Sequence, residues 1–438
     1  MSKASQQSKI FPLSDFLEAK IDVERRDDGT LVLRSPEPLG DYERCLGEHL
    51  EKWARLKPSE IYLAQRDGDF WRELTWIEAK NKVYAIATTL LKYNLSAERP
   101  LAILSENSIE YALLILAAMH VGIPVVPISP SYALMSKDFA RLKSVFSLMN
   151  PAMVYVDEGS CFSLPMNALK EFDFELVVRK NHDKAGRNAI EFDDLLKTTD
   201  EAAVNTAFKS ITPDTIAKFL LTSGSTGEPK AVINTNKMLC SNQQSLAKSW
   251  KFLTSEPPVL VDWLPWHHTF GGNNNFGMVL THGGTLYIDD GKPMPKLIEK
   301  TVRNLKEISP TIFFNAPRGY DMLMPYLEKD AELRKRFFRR LRVLNYASAA
   351  LSASLWERLE QMSLSEVGRI LPITSGWGAT ETAPQVTIGH FEPINPRVIG
   401  LPSPAHELKM IPTTTDGKYE LRVKGPNVMN RANALKFY

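Results

Sequence analysis

From residue 101 onward, short apolar runs alternate with segments of helical length. LAILSEN is followed by SIEYALLILAAMH, then by IPVVPIS, DFARLKSVFSLMN and MVYVD. Runs of this kind separated by about a dozen helix-forming residues predict βαβ units and a mostly parallel sheet covered on both faces. The rhythm returns downstream. VLVDWLP, TLYIDD, TIFFNAP and VLNYAS are strand candidates, separated by helical segments such as KLIEKTVRNLKEI. The expected fold class is therefore α/β, with two doubly wound, mostly parallel sheets in subdomains at roughly 50–210 and 211–390. HELKMIP and YELRVKG, on either side of TTTDG, predict a smaller β-rich unit over 391–438. Residues 180–215 carry more charge and turn formers, and are read as a surface excursion or a linker. In RKRFFRRLR, residues 334–342, Phe337, Phe338 and Leu341 recur at helical spacing among six basic residues. That pattern reads first as a solvated amphipathic helix, and second as a phosphate-binding edge.

One stretch imitates a membrane span. YALLILAAMHVGIPVVPISP, residues 111–130, holds His120, Gly122, Pro124, Pro127 and Pro130, and is read instead as a buried helix turning into a strand near Ile123. The N-terminus MSKASQQSKIFPLSDF lacks the charged start and apolar run of a signal peptide. The 438 residues carry 53 basic and 51 acidic side chains for a net charge of +2, so no global field steers the chain to nucleic acid or membrane. Small molecules are the expected partners. Three scattered cysteines, Cys45, Cys161 and Cys240, suit reduced thiols and a cytoplasmic location.

Three patches carry candidate chemistry. The first, FLLTSGSTGEPK at 219–230, brings glycines 224 and 227 together with hydroxyls at Thr222, Ser223, Ser225 and Thr226, and with the ammonium of Lys230. Glycines let backbone N–H groups approach an anion, so the stretch reads as a phosphate cradle or as a Ser/Gly-rich hairpin turn. It is not the common nucleotide loop, because Pro229 stands where that loop needs glycine and Ala231 where it needs a hydroxyl. The second, LPITSGWGATETAP at 371–384, places Gly376 and Gly378 around Trp377 and then Thr380 and Glu381. At the end of a strand, Trp377 can stack on a purine, Thr380 can donate to phosphate and Glu381 can ligate magnesium; the alternative is a turn whose glutamate caps a helix. The third, LPWHHTFGGNNNFG at 264–277, has adjacent His267 and His268 without the i, i+4 spacing of a zinc pair. No GxSxG elbow supports a serine hydrolase.

Taken together, the patches resemble the adenylate-forming superfamily of acyl-CoA synthetases, aryl-CoA ligases, luciferases and peptide-synthetase adenylation domains. Thr222 to Lys230 fills its TSG[ST]TGxPK signature, Trp377 to Glu381 its [YW]GxTE, and Leu264, Pro265 and His268 its LPxxH. Looser matches run from Leu341 to Leu351, Gly400 to Ala405 and Gly417 to Met429. The resemblance implies ATP, Mg2+ and the substrate CoA. ATP would contact Thr222, Ser223, Gly224, Ser225, Thr226, Gly227 and Lys230 around its outer phosphates, and Ser348, Ala349 and Ala350 along adenine. Trp377, Gly378 and Thr380 would complete the nucleotide side, with Thr380 at the α-phosphate and Glu381 on the metal. His268 would gate an acyl pocket formed with Phe270, Gly271, Asn274, Tyr346, Gly376 and Pro384. Lys230, His268, Thr380 and Glu381 are the implied catalytic set. Ala231 for a usual glycine, Asn236 for a usual histidine and the turn YASAAL depart from the pattern.

DWLPWHHTFGGNNNF, LYIDDGKP and VERRDDGTLVLRSPEPLGDY are similar to the feruloyl-CoA synthetase group of hydroxycinnamate ligases. An aryl acid such as ferulate, coumarate or caffeate is the substrate so implied, with ligases of fatty or benzoic acids and a non-catalytic nucleotide-binding module as rivals. Neither nucleic acid nor membrane is expected as a partner, and a homodimer is left open. After GPNVM the family continues into a ribose-binding aspartate, a hinge and a small mobile domain with an adenylation lysine. Here NRANALKFY follows. The expectation is a large N-terminal domain with the mobile domain missing and thioester formation nearly lost.

Overall fold

A computed structural model describes residues 14–223, 228–393, 395–413 and 417–430. Gly224, Ser225, Thr226 and Gly227 lie outside the described residues. Among the described residues the strands form four sheets. The largest runs in the order Pro229–Thr235, Ile216–Ser223, Val125–Pro127, Leu101–Ile103, Met153–Glu158, Glu175–Lys180, Ile190–Glu191. It is parallel apart from the hairpin made by its first two strands. A second sheet is built from Val259–Asp262, Thr285–Ile288, Ile61–Asp67 and Phe70–Thr75, and a third from Ile312–Asn315, Val343–Tyr346, Ile373–Gly378, Gln385–Ile388 and Leu401–Pro402. The mixed α/β class with parallel sheets is as the alternation predicts.

The helix Ile109–His120 explains the membrane-like run. Every one of its residues is buried, because it packs against Val125–Pro127 of one sheet and Ile61–Asp67 of the next. A helix wrapped by protein on all sides can be apolar all round. Ser108 caps it by accepting from the Tyr111 amide at 3.1 Å. No helix among the described residues is long and apolar enough to cross a membrane.

Two expectations change. The sheets do not divide at residue 210: strands from 61–75 join those from 259–288, and the 216–235 hairpin joins strands from 101–191. Residues 180–215 are not a linker either. Ile190–Glu191 is the last strand of the large sheet, and Phe192, Leu195 and Val204 are buried in its core. The β-rich end draws its partners from the far terminus, since Glu407–Pro412 and Tyr419–Lys424 continue the hairpin of Asp22–Arg25 and Leu31–Arg34 into an antiparallel sheet. At 334–342 the amphipathic reading holds: a helix ends at Phe338, and Phe337, Phe338 and Leu341 are buried.

Candidate active site

The parallel strands Ile312–Asn315, Val343–Tyr346 and Ile373–Gly378 end together, and a cavity of about 610 Å³ opens there. Ligands of open α/β sheets bind at such carboxyl ends. The strand ends are held in place by side chains. Tyr320 donates its hydroxyl to the carbonyls of Phe313, at 2.8 Å, and Asn345, at 2.9 Å; Ser375 donates to the Tyr346 carbonyl at 2.9 Å. Beyond the middle strand, Ser348 adopts a φ of +77°, a region that a non-glycine residue occupies at a cost.

His268, Phe270, Asn274, Tyr346, Ser348, Ala349, Ala350, Gly376, Trp377, Gly378, Thr380, Glu381 and Pro384 all line this cavity. Two of the three chemical patches thus share one space, and the glycine-rich patch is not part of its described wall. Thr222 and Lys230 face each other across the hairpin and are not on the cavity wall. Gly271 is not on the wall either. It packs so tightly beneath it that a Cβ would collide with the Leu264 carbonyl.

The wall from His268 to Asn274 is a π-turn, Phe270–Asn275, seated on the Leu264–Trp266 turn. Asn107 pins that turn from both sides, donating to the Leu264 carbonyl and accepting from the Trp266 amide, each at 2.9 Å. Its position 157 residues upstream gives no sequence cue. Asp262 accepts from the Leu264 amide at 3.1 Å and from the Asn275 side chain at 2.9 Å. Burial pushes its carboxyl up to about 7. The Phe270 amide donates to Nδ1 of His268 at 3.3 Å, which places the imidazole proton on Nε2. Water reaches that ring through the cavity, yet surrounding protein lowers its pKa from the ordinary 6.5 and keeps it neutral.

The opposite wall is the turn Thr380–Thr382. A Cβ at Gly378 would overlap the Pro384 carbonyl, so only glycine lets the chain double back there. The Met429 amide donates to the Glu381 carbonyl at 2.8 Å and Asn427 to the Gln385 carbonyl at 2.7 Å, so the GPNVM segment braces this turn from behind. Glu381 is the one carboxylate on the cavity wall among the described residues, and those residues contain no cluster of three or more His, Cys, Asp or Glu able to hold a metal. A single carboxylate suits magnesium, which is usually held by one or two carboxylates together with substrate phosphates. Tyr346 donates its hydroxyl to the Pro396 carbonyl at 2.7 Å, and burial raises its pKa to about 12. Pro396, Arg397 and Ile399 complete the mouth, and Trp250, Phe314 and Ile388 the floor.

A family model of AMP-binding enzymes matches residues 50–431. The chain belongs to the AMP-binding enzyme family. Among curated relatives, this AMP-binding enzyme is 22% identical to a luciferin 4-monooxygenase of Photuris pensylvanica over 78% of the chain and 59% of that protein. It is 24% identical to a methyl-dioxo-octahydroindenyl-propanoyl:CoA ligase of Rhodococcus jostii over 68% of the chain and 56% of the relative. The chain thus spans somewhat more than half the length of these relatives. The crystal structure of a long-chain-fatty-acid-CoA ligase from Archaeoglobus fulgidus superposes with a TM-score of 0.72 at 18% identity, over 93% of this chain and 78% of that one. That likeness is one of fold.

Proposed function

We propose that the chain carries the acid- and nucleotide-binding part of an ATP-dependent acid:CoA ligase, acting through an acyl-adenylate on a hydroxycinnamic acid such as ferulate, coumarate or caffeate. The observation that carries this reading is the single cavity joining the His268–Asn274 wall to Ser348–Ala350 and to Trp377–Glu381. An acid on one side and the α-phosphate on the other would lie within one shared cavity, which is what an intermolecular attack needs.

Carboxylates are poor acyl donors. Attack of the carboxylate oxygen on the α-phosphorus breaks the bond to pyrophosphate and leaves an acyl adenylate, from which the CoA thiol can displace AMP. Here Thr380 would donate to the α-phosphate, the loop hydroxyls would donate hydrogen bonds to the outer phosphates while Lys230 offsets part of their charge, and Glu381 would hold magnesium, whose charge offsets more of it. Neutral His268, at the junction, would admit a carboxylate without trapping it in an ion pair.

The substrate class rests on the lining. Trp250, Phe270, Phe314 and Tyr346 form an aromatic slot, which favours a flat ring over a flexible alkyl chain. The Tyr346 hydroxyl gives its proton to Pro396 but keeps an acceptor lone pair, and Oδ1 of the Asn274 side chain is another acceptor. A site that hydrogen-bonds a hydroxyl rejects the analogue lacking it. Comparing kcat/KM for ferulate, cinnamate, benzoate and octanoate tests this: ferulate should lead, and octanoate ahead of ferulate would discard the aryl reading.

A further inference from the structure

Lys218 lies in the strand that leads into the glycine-rich loop, directly across the hairpin from Asn234. Its side chain is 0% exposed, and its two hydrogen-bond partners are neutral: the Gly272 carbonyl at 3.0 Å and Oδ1 of Asn273 at 3.2 Å. An apolar residue would fill such a core position at lower cost, because a buried ammonium gives up its hydration. Burial alone pulls its pKa down to about 7.

Both partners belong to the π-turn. A π-turn interrupts the i→i−4 ladder, and here side chains bring donors to its carbonyls: Lys218 to Gly272, and Gln243 to Asn273 at 2.8 Å and Asn274 at 3.1 Å. Asn273 passes the contact on. Its amide donates to Oδ1 of Asn234 at 2.6 Å and to the Thr269 hydroxyl at 3.1 Å, and Asn234 in turn donates to the Thr380 carbonyl at 3.4 Å. At the far end of the turn Asn275 is tied to Asp262. Phe270 and Asn274, which the turn presents to the cavity, and Thr269 just before it, therefore depend on Lys218, Asn234, Gln243, Asp262, Asn273 and Asn275, none of which lines the cavity.

We infer that Lys218 is a positioning residue for the acid: through Gly272 and Asn273, its ammonium fixes the π-turn that walls the acid side of the cavity. The inference rests on reading the cavity as an acid-activating site. The hydrogen bonds of Asn273 make it the relay, so Lys218 and Asn273 act as one unit.

The test is acid-dependent pyrophosphate exchange in the wild type, Lys218→Met, Asn273→Leu and the double variant, using ferulate as probe and melting temperature as a check on folding. Lys218→Met should raise the KM for the acid by at least ~10-fold while kcat and the KM for ATP change by less than ~3-fold. Asn273→Leu should act in the same direction. The double variant should be no worse than Lys218→Met alone, because residues that act as a unit are non-additive. An unchanged acid KM, a loss confined to kcat or to the KM for ATP, or effects that multiply in the double variant would each overturn the assignment. If Lys218→Met does not fold, Lys218→Gln, which keeps N–H donors without charge, takes its place under the same criteria. Wild-type exchange with an unchanged acid KM in the variant removes Lys218 alone. Absence of exchange in the wild type with every acid removes the ligase reading and Lys218 with it.

Discussion

The proposed metal-holding role falls on Glu381 alone. Since no second carboxylate lines the described cavity wall, its replacement leaves the proposed metal without a protein anion there. Glu381→Gln should lower the adenylation rate by at least ~100-fold, the scale of a lost electrostatic group at a transferring phosphoryl. A variant at wild-type rate under saturating magnesium would remove Glu381 from the site. Lys230→Ala should cost less, because several loop donors share its task; a larger loss than that of Glu381→Gln in the same assay would reverse the order. At this scale the sequence was highly legible where a residue sits in a short motif. Trp377, Thr380 and Glu381 announce themselves by spacing, and all three reach the cavity. Asn107 and Lys218 do not: each acts through a partner distant in sequence, and a lysine within IAKFLL reads as an ordinary solvent-facing strand position.

The π-turn builds one wall of the cavity, the side proposed to take the acid. Its two glycines are required by contact rather than by φ: a Cβ on Gly272 would collide with the Trp266 carbonyl, just as one on Gly271 would with that of Leu264. Both obstacles are backbone and cannot rotate away. Gly272→Ala should therefore destabilise the fold by about 1–3 kcal/mol, the range for overpacking a tight core, read as a lower urea midpoint with unchanged m-value. An unaltered midpoint would mean that the turn and the Trp266 carbonyl separate freely. The letters HHTFGGNNNF drew attention through their chemistry, but their π geometry was not legible, since no periodicity distinguishes one widened turn from a loop. Regular elements fared better. The helix Ile298–Glu307 and the strands at 259, 285, 312 and 343 fall where the apolar pattern puts them, because their burial is one-sided or complete in the way the pattern assumes.

At the scale of the whole molecule, the alternation of strands and helices specified the class but not which strand joins which sheet. Pairing of residues 61–75 with 259–288 is decided by contacts such as that of Leu63 with Leu286, more than two hundred residues apart, which local pattern does not encode. The assembled core also buries histidines. Burial lowers His49, His120 and His267 to about 4 and His282 to about 3, from an ordinary 6.5. Below 6.5 the unfolded chain binds protons that these folded histidines refuse, so stability is lost as pH falls toward 4. Asp262, raised from 3.8 to about 7, works in the opposite direction between those values and offsets one histidine of the four. The melting temperature should accordingly drop between about pH 6.5 and about pH 5, and a flat or rising profile would contradict the burial of these rings.

Acid-dependent exchange of labelled pyrophosphate into ATP, by the natural gene product carrying this sequence, tests the proposed acyl-adenylate chemistry most directly. The expected result is exchange that requires both magnesium and a carboxylic acid, is strongest with ferulate among ferulate, cinnamate, benzoate and octanoate, and is lost in Glu381→Gln. ATP binding without exchange, whichever acid is supplied, would contradict acyl-adenylate chemistry and leave a nucleotide-binding module in its place.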